Sequence, residues 1–104
     1  MTSRMLLFAS VDPAGQEEFE AAFRGVRQRV ATVRGHIFDE LLRQQDRPGA
    51  YVLSSQWESK EAFLTWLRSP DHDEMTAPMH PYFQNASEMR FYECTDPAMS
   101  RNVR

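Results

Sequence analysis

Hydrophobic positions in this chain fall into short bursts bounded by turn residues, with two stretches where they recur at helical spacing. Met5-Leu-Leu-Phe-Ala-Ser-Val11 is an apolar run stopped by Asp12-Pro13-Ala14-Gly15, which predicts a strand and a turn. From Gln16 to about Arg34, the residues Phe19, Phe23, Val26, Val30 and Val33 follow spacings of four and three and form one helical stripe. Glu17 and Glu18 fall in the first turn, where the helix dipole favours acids, and Glu20 with Arg24 forms an i,i+4 pair. Gly35 is placed to end this helix as a C-cap. His36–Arg43 and Ala50–Trp57 predict two strands joined by the loop Gln44–Gly49. Ser59 caps a second helix to about Arg68, whose apolar residues are Ala62, Phe63, Trp66 and Leu67. Ser69-Pro70 opens a further short helical turn, which Pro78 and Pro81 end. Ser87–Cys94 predicts the fourth strand. Residues 95–104 are polar and read as a tail, leaving residues 1–94 as one domain.

The order β-α-β-β-α-β predicts an α+β, ferredoxin-like domain, with helices on one face of a four-stranded antiparallel sheet. Such a layer leaves its other face bare. The first strand is apolar on both faces, with Leu6 and Phe8 on one and Met5, Leu7 and Ala9 on the other. Soluble monomers rarely expose patches of that kind. Burying roughly 600 Å² of apolar surface per subunit would contribute on the order of 15 kcal/mol before association costs. A homodimer packed sheet on sheet is therefore expected.

Composition narrows the classes. A chain of 104 residues with 41% hydrophobic and 26% charged residues fits one globular domain. The net charge of −3, with arginines dispersed along the chain, gives no basic face for nucleic acid. Cys94 is the only cysteine, so neither an intrachain disulfide nor a cysteine metal cage can form, which suits a cytoplasmic location. The run Met5–Ala9 is too short for a signal core or a membrane span, so no membrane partner is expected.

The segment Tyr51-Val-Leu-Ser-Ser-Gln-Trp-Glu-Ser-Lys-Glu-Ala-Phe-Leu-Thr-Trp-Leu-Arg-Ser-Pro-Asp-His72 resembles the core signature of the antibiotic biosynthesis monooxygenase domain. The Pro13-Ala14-Gly15 turn and the acidic helix after it are similar to the family's opening. The likeness covers about residues 5–94. It implies a dimeric α+β barrel with a pocket between sheet and helices. One branch of the family degrades haem, using a strand-one Asn, a helix-two Trp and a His some nine or ten residues later. Here Trp66 matches, while the Asn place falls on Phe8 and the His place on Met75 or Thr76. The other branch oxidises phenolic polyketide intermediates with O₂ and no metal or flavin. Trp66 resembles that branch, and some members carry a protonatable residue where this chain has His72. Others use an Asn in helix two, where this chain has Ala62.

Oxygenation without a cofactor requires an electron-rich substrate that loses a proton, so that its anion can pass an electron to O₂. The protein must supply a base and a dry pocket. His72 is the candidate base, and Trp66 the residue that stacks on substrate and offers its indole N–H. Phe8, Phe23, Phe38, Tyr51, Phe63 and Phe91 are candidates for the pocket wall, and Arg90 for a phenolate contact. Each has a plainer reading. Trp66 is in register with Ala62 as a core residue. His72 follows Ser69-Pro70-Asp71 as a solvated first-turn residue, and Arg90 suits a surface ion pair. On one straight helix Trp66 and His72 would lie about 120° apart, so only a break at Ser69-Pro70 would bring them together. His80 reads as a loop histidine, His36 as structural, Trp57 as packing, and Met75, Met79 and Met89 as adaptable filler. No phosphate loop, zinc-protease motif or Ser/His/Asp order is present. The expectation is a small cofactor-independent monooxygenase acting on an aromatic, polyketide-like molecule. The alternatives are a haem-binding or haem-degrading protein with His72 or His80 on iron, and a non-catalytic dimeric module that binds a hydrophobic aromatic molecule.

Overall fold

The structure is a computed structural model and describes residues 2–95. The strands are β1 Ser3–Val11, β2 His36–Arg43, β3 Ala50–Trp57 and β4 Phe83–Glu93. The helices are α1 Gln16–Val30, α2 Lys60–Leu67 and α3 Pro70–Thr76. Tight 3-10 turns at Pro13–Gly15 and Ala77–Tyr82 connect β1 to α1 and α3 to β4. The strands form one antiparallel sheet in the order β2-β3-β1-β4, the ferredoxin-like arrangement.

The helical stripe does what its spacing dictates: Phe19, Phe23, Val26 and Val30 are all buried. They pack against inward residues of the sheet, among them Met5, Tyr51 and Trp57. Phe19 meets the Tyr51 ring edge-on at 4.9 Å. Ser59 caps α2 by accepting a hydrogen bond from the Ala62 N–H at 3.1 Å, which satisfies one of the free donors of the first turn.

Three boundaries differ from the pattern. Helix α1 stops at Val30 rather than Arg34. Thr32 turns its hydroxyl onto the Arg29 carbonyl at 2.7 Å and the Val33 N–H bonds the Val30 carbonyl, so the backbone leaves in tight turns. Gly35 therefore lies beyond the helix, not at its cap. Strand β1 begins at Ser3, because its ladder with β3 and β4 extends past the apolar run. Strand β4 begins at Phe83 rather than Ser87. Gln84, Asn85 and Ala86 have little intrinsic strand preference, yet their stretch pairs with Ala9–Val11 across two register shifts.

Two glycines hold positive φ for a reason. Gly49, at φ 81°, lies where a Cβ would stand 2.2 Å from the Val11 carbonyl oxygen, and its own carbonyl accepts from the Val11 N–H at 2.8 Å. Gly35, at φ 87°, allows α2 to approach so closely that a Cβ would meet the Ala62 Cβ at 2.7 Å.

The helices cover one face of the sheet. On the other, Leu6, Phe8 and Val52 are half-buried, while Leu42 and Tyr92 stay 47% and 46% exposed. Polar side chains also line this outer face. Arg4 donates to Gln56 at 3.2 Å, and Arg90 pairs with Glu88.

Gly49→Ala should lose about 2–4 kcal/mol of stability, since it adds both backbone strain and a clash with Val11. Urea denaturation checks this, and an unchanged midpoint would contradict the close approach.

Candidate active site

The three helices leave part of the sheet's inner face uncovered. A cavity of about 280 Å³ remains between its inner face and the helical layer. Phe23 and Val26 of α1, Phe63 and Trp66 of α2, His72 and Thr76 of α3, and Met5, Leu7 and Leu53 of the sheet line it. Most of the wall is apolar. The polar groups are few: Asp39, Ser55, His72, Thr76 and His80.

The break at Ser69-Pro70 exists and sets the site. Proline cannot continue α2, so α2 ends at Leu67 and Pro70 starts α3. Ser69 fixes the corner by donating its hydroxyl to the Trp66 carbonyl at 2.7 Å. The two rings that one straight helix would hold apart now meet edge to face, with Trp66 and His72 centroids 4.7 Å apart. Trp66 also stacks on the fully buried Trp57 at 5.4 Å, so it is a core residue and a cavity wall at once. Its indole N–H, expected to be available to substrate, points to the Met75 sulfur at 3.4 Å. Met75, read as filler, thus holds the indole in place.

The His72 Nδ1 stands 3.3 Å from the exposed Asp73 carboxylate. A carboxylate only accepts, so this pairing makes Nδ1 the protonated nitrogen and leaves the lone pair of the neutral ring on Nε2. Thr76 donates its hydroxyl to the His72 carbonyl at 2.9 Å and lies 2.9 Å from the His80 Nε2. With the threonine proton committed, the His80 Nε2 must be a donor there.

Phe23 and Phe63 line the cavity as expected. Phe8 does not: strand alternation places it opposite Met5 and Leu7, on the outer face, under the Arg90 guanidinium at 5.5 Å. Arg90 is on that same face, paired with Glu88, while its neighbour Met89 turns inward to the cavity. Phe38, next to the inward Asp39, turns away from the cavity and lines a separate groove along β2 with Tyr51, Glu20 and Arg43. Tyr51 is buried at the far end of β3, where its hydroxyl donates to Glu20. Phe91 packs on Phe63 beyond the cavity rim, with Lys60 over its other side.

The pattern missed one pair. His36 and Asp39 are both buried, with Nε2 and Oδ1 3.0 Å apart but out of line for a hydrogen bond. Residues three apart on a regular strand face opposite ways. The register shift between His36 and Phe38 turns them to one side. Asp39 faces the cavity, and His36 packs edge-on against Trp57 at 5.0 Å. The signal available was an acidic residue two positions from the inward Leu41, on the same side of the strand.

Among the described residues no group of three or more His, Cys, Asp or Glu could hold a metal. Of the three places that the haem-degrading branch uses, Trp66 matches one and the other two differ. Phe8 is on the wrong face, and Met75 and Thr76 are engaged with Trp66 and His72. Among the described residues no helix is long and apolar enough to cross a membrane.

The sequence profile described as antibiotic biosynthesis monooxygenase matches residues 3–78. Protein SchA of Streptomyces halstedii is 34% identical over 94% of this chain, and polyketide synthase CurD of Streptomyces cyaneus 32% identical over 86%. The chain spans about a quarter of the length of these curated relatives, 26% and 24%. A heme-binding protein name from Natronomonas pharaonis is attached to a relative 32% identical over 62% of this chain and 11% of its own length. Among solved structures, a candidate monooxygenase of this type from Bordetella bronchiseptica superposes with a TM-score of 0.83 at 20% identity, covering 90% of this chain and 97% of that one. SnoaB, a cofactor-independent oxygenase from Streptomyces nogalater, superposes at 0.70 with 23% identity, covering 91% and 93%.

Burial, followed by the hydrogen bond and the charge of Glu20, pushes the Tyr51 hydroxyl up to about 12 from 10.0. The folded state thus holds this proton more tightly than the unfolded chain. The resulting stability is complete below pH 10 and is lost as pH rises towards 12. Tyr51→Phe should remove that part of the alkaline loss. Denaturant unfolding of both proteins below pH 10 and near pH 12 checks it, and parallel losses would contradict it.

Proposed function

Given that the chain belongs to the antibiotic biosynthesis monooxygenase family, we propose that it oxygenates an aromatic, polyketide-like molecule with O₂ and no cofactor. The observation that carries this reading is the meeting of Trp66 and His72 on the wall of an apolar cavity. The polyketide synthase name of the CurD relative supports the substrate class, and the description of SnoaB as a cofactor-independent oxygenase agrees with the lack of a cofactor.

In this reading a phenol or anthrone lies in the cavity against Trp66. The Nε2 of His72 takes the proton from the substrate, and Asp73 stabilises the resulting imidazolium. The substrate anion passes one electron to O₂, and the radicals combine to form a carbon–oxygen bond. His72 returns its proton to the resulting peroxide. The second hydrogen of the same carbon is then lost as a proton as the O–O bond breaks, so that one oxygen stays as a carbonyl and the other leaves with both protons as water. The apolar wall of Phe23, Phe63 and Met79 keeps bulk water from the anion.

Oxygen-electrode measurements with 1,8-dihydroxyanthrone test this. The wild-type protein should consume O₂ above the spontaneous rate, His72→Ala should fall by about 10²-fold or more, and Trp66→Phe should fall less. No wild-type uptake, or equal rates in all three, would contradict it. Binding of the anthrone without turnover would favour the module reading, to which the greater length of the relatives lends weight. A Soret band on adding hemin would favour haem, for which the name of the Natronomonas relative and the cavity positions of His72 and His80 speak.

The outer face belongs to the same proposal as the seat of a second copy. Leu42 and Tyr92 remain exposed beside Leu6, Phe8 and Val52, a surface that sheet-on-sheet pairing would bury. Sedimentation should give a dimer at micromolar concentration, and Leu42→Arg should shift it to monomer. A wild-type monomer would contradict the pairing.

A further inference from the structure

Of the polar groups on the cavity wall, Asp39 is the one whose position has no structural explanation. It is 5% exposed, and it is the one residue of β2 on the cavity wall. Its Oδ1 and the His36 Nε2 are both shut from water and out of hydrogen-bond alignment despite a separation of 3.0 Å. A sealed carboxylate held this incompletely is costly, and an apolar side chain there would carry no such cost. Asp39 nonetheless lines the cavity, where a ligand can meet its carboxylate.

The surroundings define what that ligand must bring. Ser55 is the cross-strand partner of Asp39, and its oxygen already accepts the Trp57 indole N–H at 2.7 Å. The serine proton is therefore free to donate, and the carboxylate beside it can only accept. A hydroxyl, which both donates and accepts, satisfies the two together. An ether or a quinone carbonyl satisfies Ser55 alone.

We propose that Asp39, backed by His36 and flanked by Ser55, is the polar anchor of the cavity and selects aromatic ligands that present a hydroxyl. This deepens the reading of the cavity as a ligand site and rests on it. His72 and His80 also face the cavity, from α3 and the turn after it, so the test must separate their contribution from that of Asp39. The role is in specificity: Asp39 holds one end of the ligand while proton transfer takes place at His72.

The test is calorimetric binding of 1-naphthol and of 1-methoxynaphthalene, which differ in the hydroxyl proton. The wild-type protein should favour the naphthol by about ten-fold, the margin of one charge-assisted hydrogen bond. Asp39→Leu should abolish that preference and leave methoxynaphthalene affinity within about two-fold. Asp39→Asn keeps the shape and a neutral acceptor, so it should retain about a third of the preference, and it carries the test if the leucine variant does not fold. A hydroxyl preference that survives both substitutions would assign it to His72 or His80 and overturn the proposal. So would wild-type binding of both probes with equal affinity. Wild-type protein that binds neither probe would overturn the cavity reading itself, a distinguishable result.

Discussion

A proline cannot continue a helix, and the site depends on that constraint at Pro70. Had the chain run on from α2 without a break, the Trp66 and His72 rings would project in different directions and the sheet would be covered by one longer rod. Instead the chain turns at Ser69, which ties its hydroxyl back to the Trp66 carbonyl, and α3 starts afresh. The turn brings the two rings to 4.7 Å. It also divides the helical cover into pieces too short to fill the space above the sheet, and the cavity is what remains. The geometry of the site and the existence of the hollow have the same cause.

Rigidity around that hollow comes from aromatic packing rather than from charge. Trp57, Phe63 and Trp66 contact one another, and the sulfur of Met75 receives the indole N–H. Trp66 is thus held on its buried side by Trp57 and on its polar edge by Met75. A residue fixed in this way presents a preformed surface, which lowers the ordering cost of binding. Asp39 apart, the charged groups lie outside the cavity: Asp73 exposed beside His72, and Glu88 and Arg90 on the far face of the sheet.

Much of the fold could be read from the chain because local chemistry and tertiary structure agree there. The strands His36–Arg43 and Ala50–Trp57, the Ser59 cap and the start of α3 at Pro70 all carry their own signals. Phe8 was unreadable for a definite reason. Both faces of β1 are apolar, so alternation could not say which set turns towards the helices. The inward turn of His36 together with Asp39 was hidden because it needs the register shift at Ile37, which only pairing with β3 produces. The early start of β4 likewise comes from its partner strand and not from Gln84, Asn85 and Ala86 themselves. Local residue preference reaches its limit where neighbouring strands decide the register.

The account stands on an aromatic molecule entering the space beside Trp66. Proton–nitrogen correlation spectra offer the most direct measurement, because the two tryptophan indole N–H groups report separately. On titration with 1-naphthol, the Trp66 signal should shift, since the ligand lies against its ring on the cavity wall. The Trp57 signal should shift as well, because Ser55, which accepts its proton, donates to the naphthol hydroxyl, while backbone signals around Phe8 and Arg90 should stay in place. A still Trp66 signal, or shifts centred on the outer face of the sheet, would contradict the account.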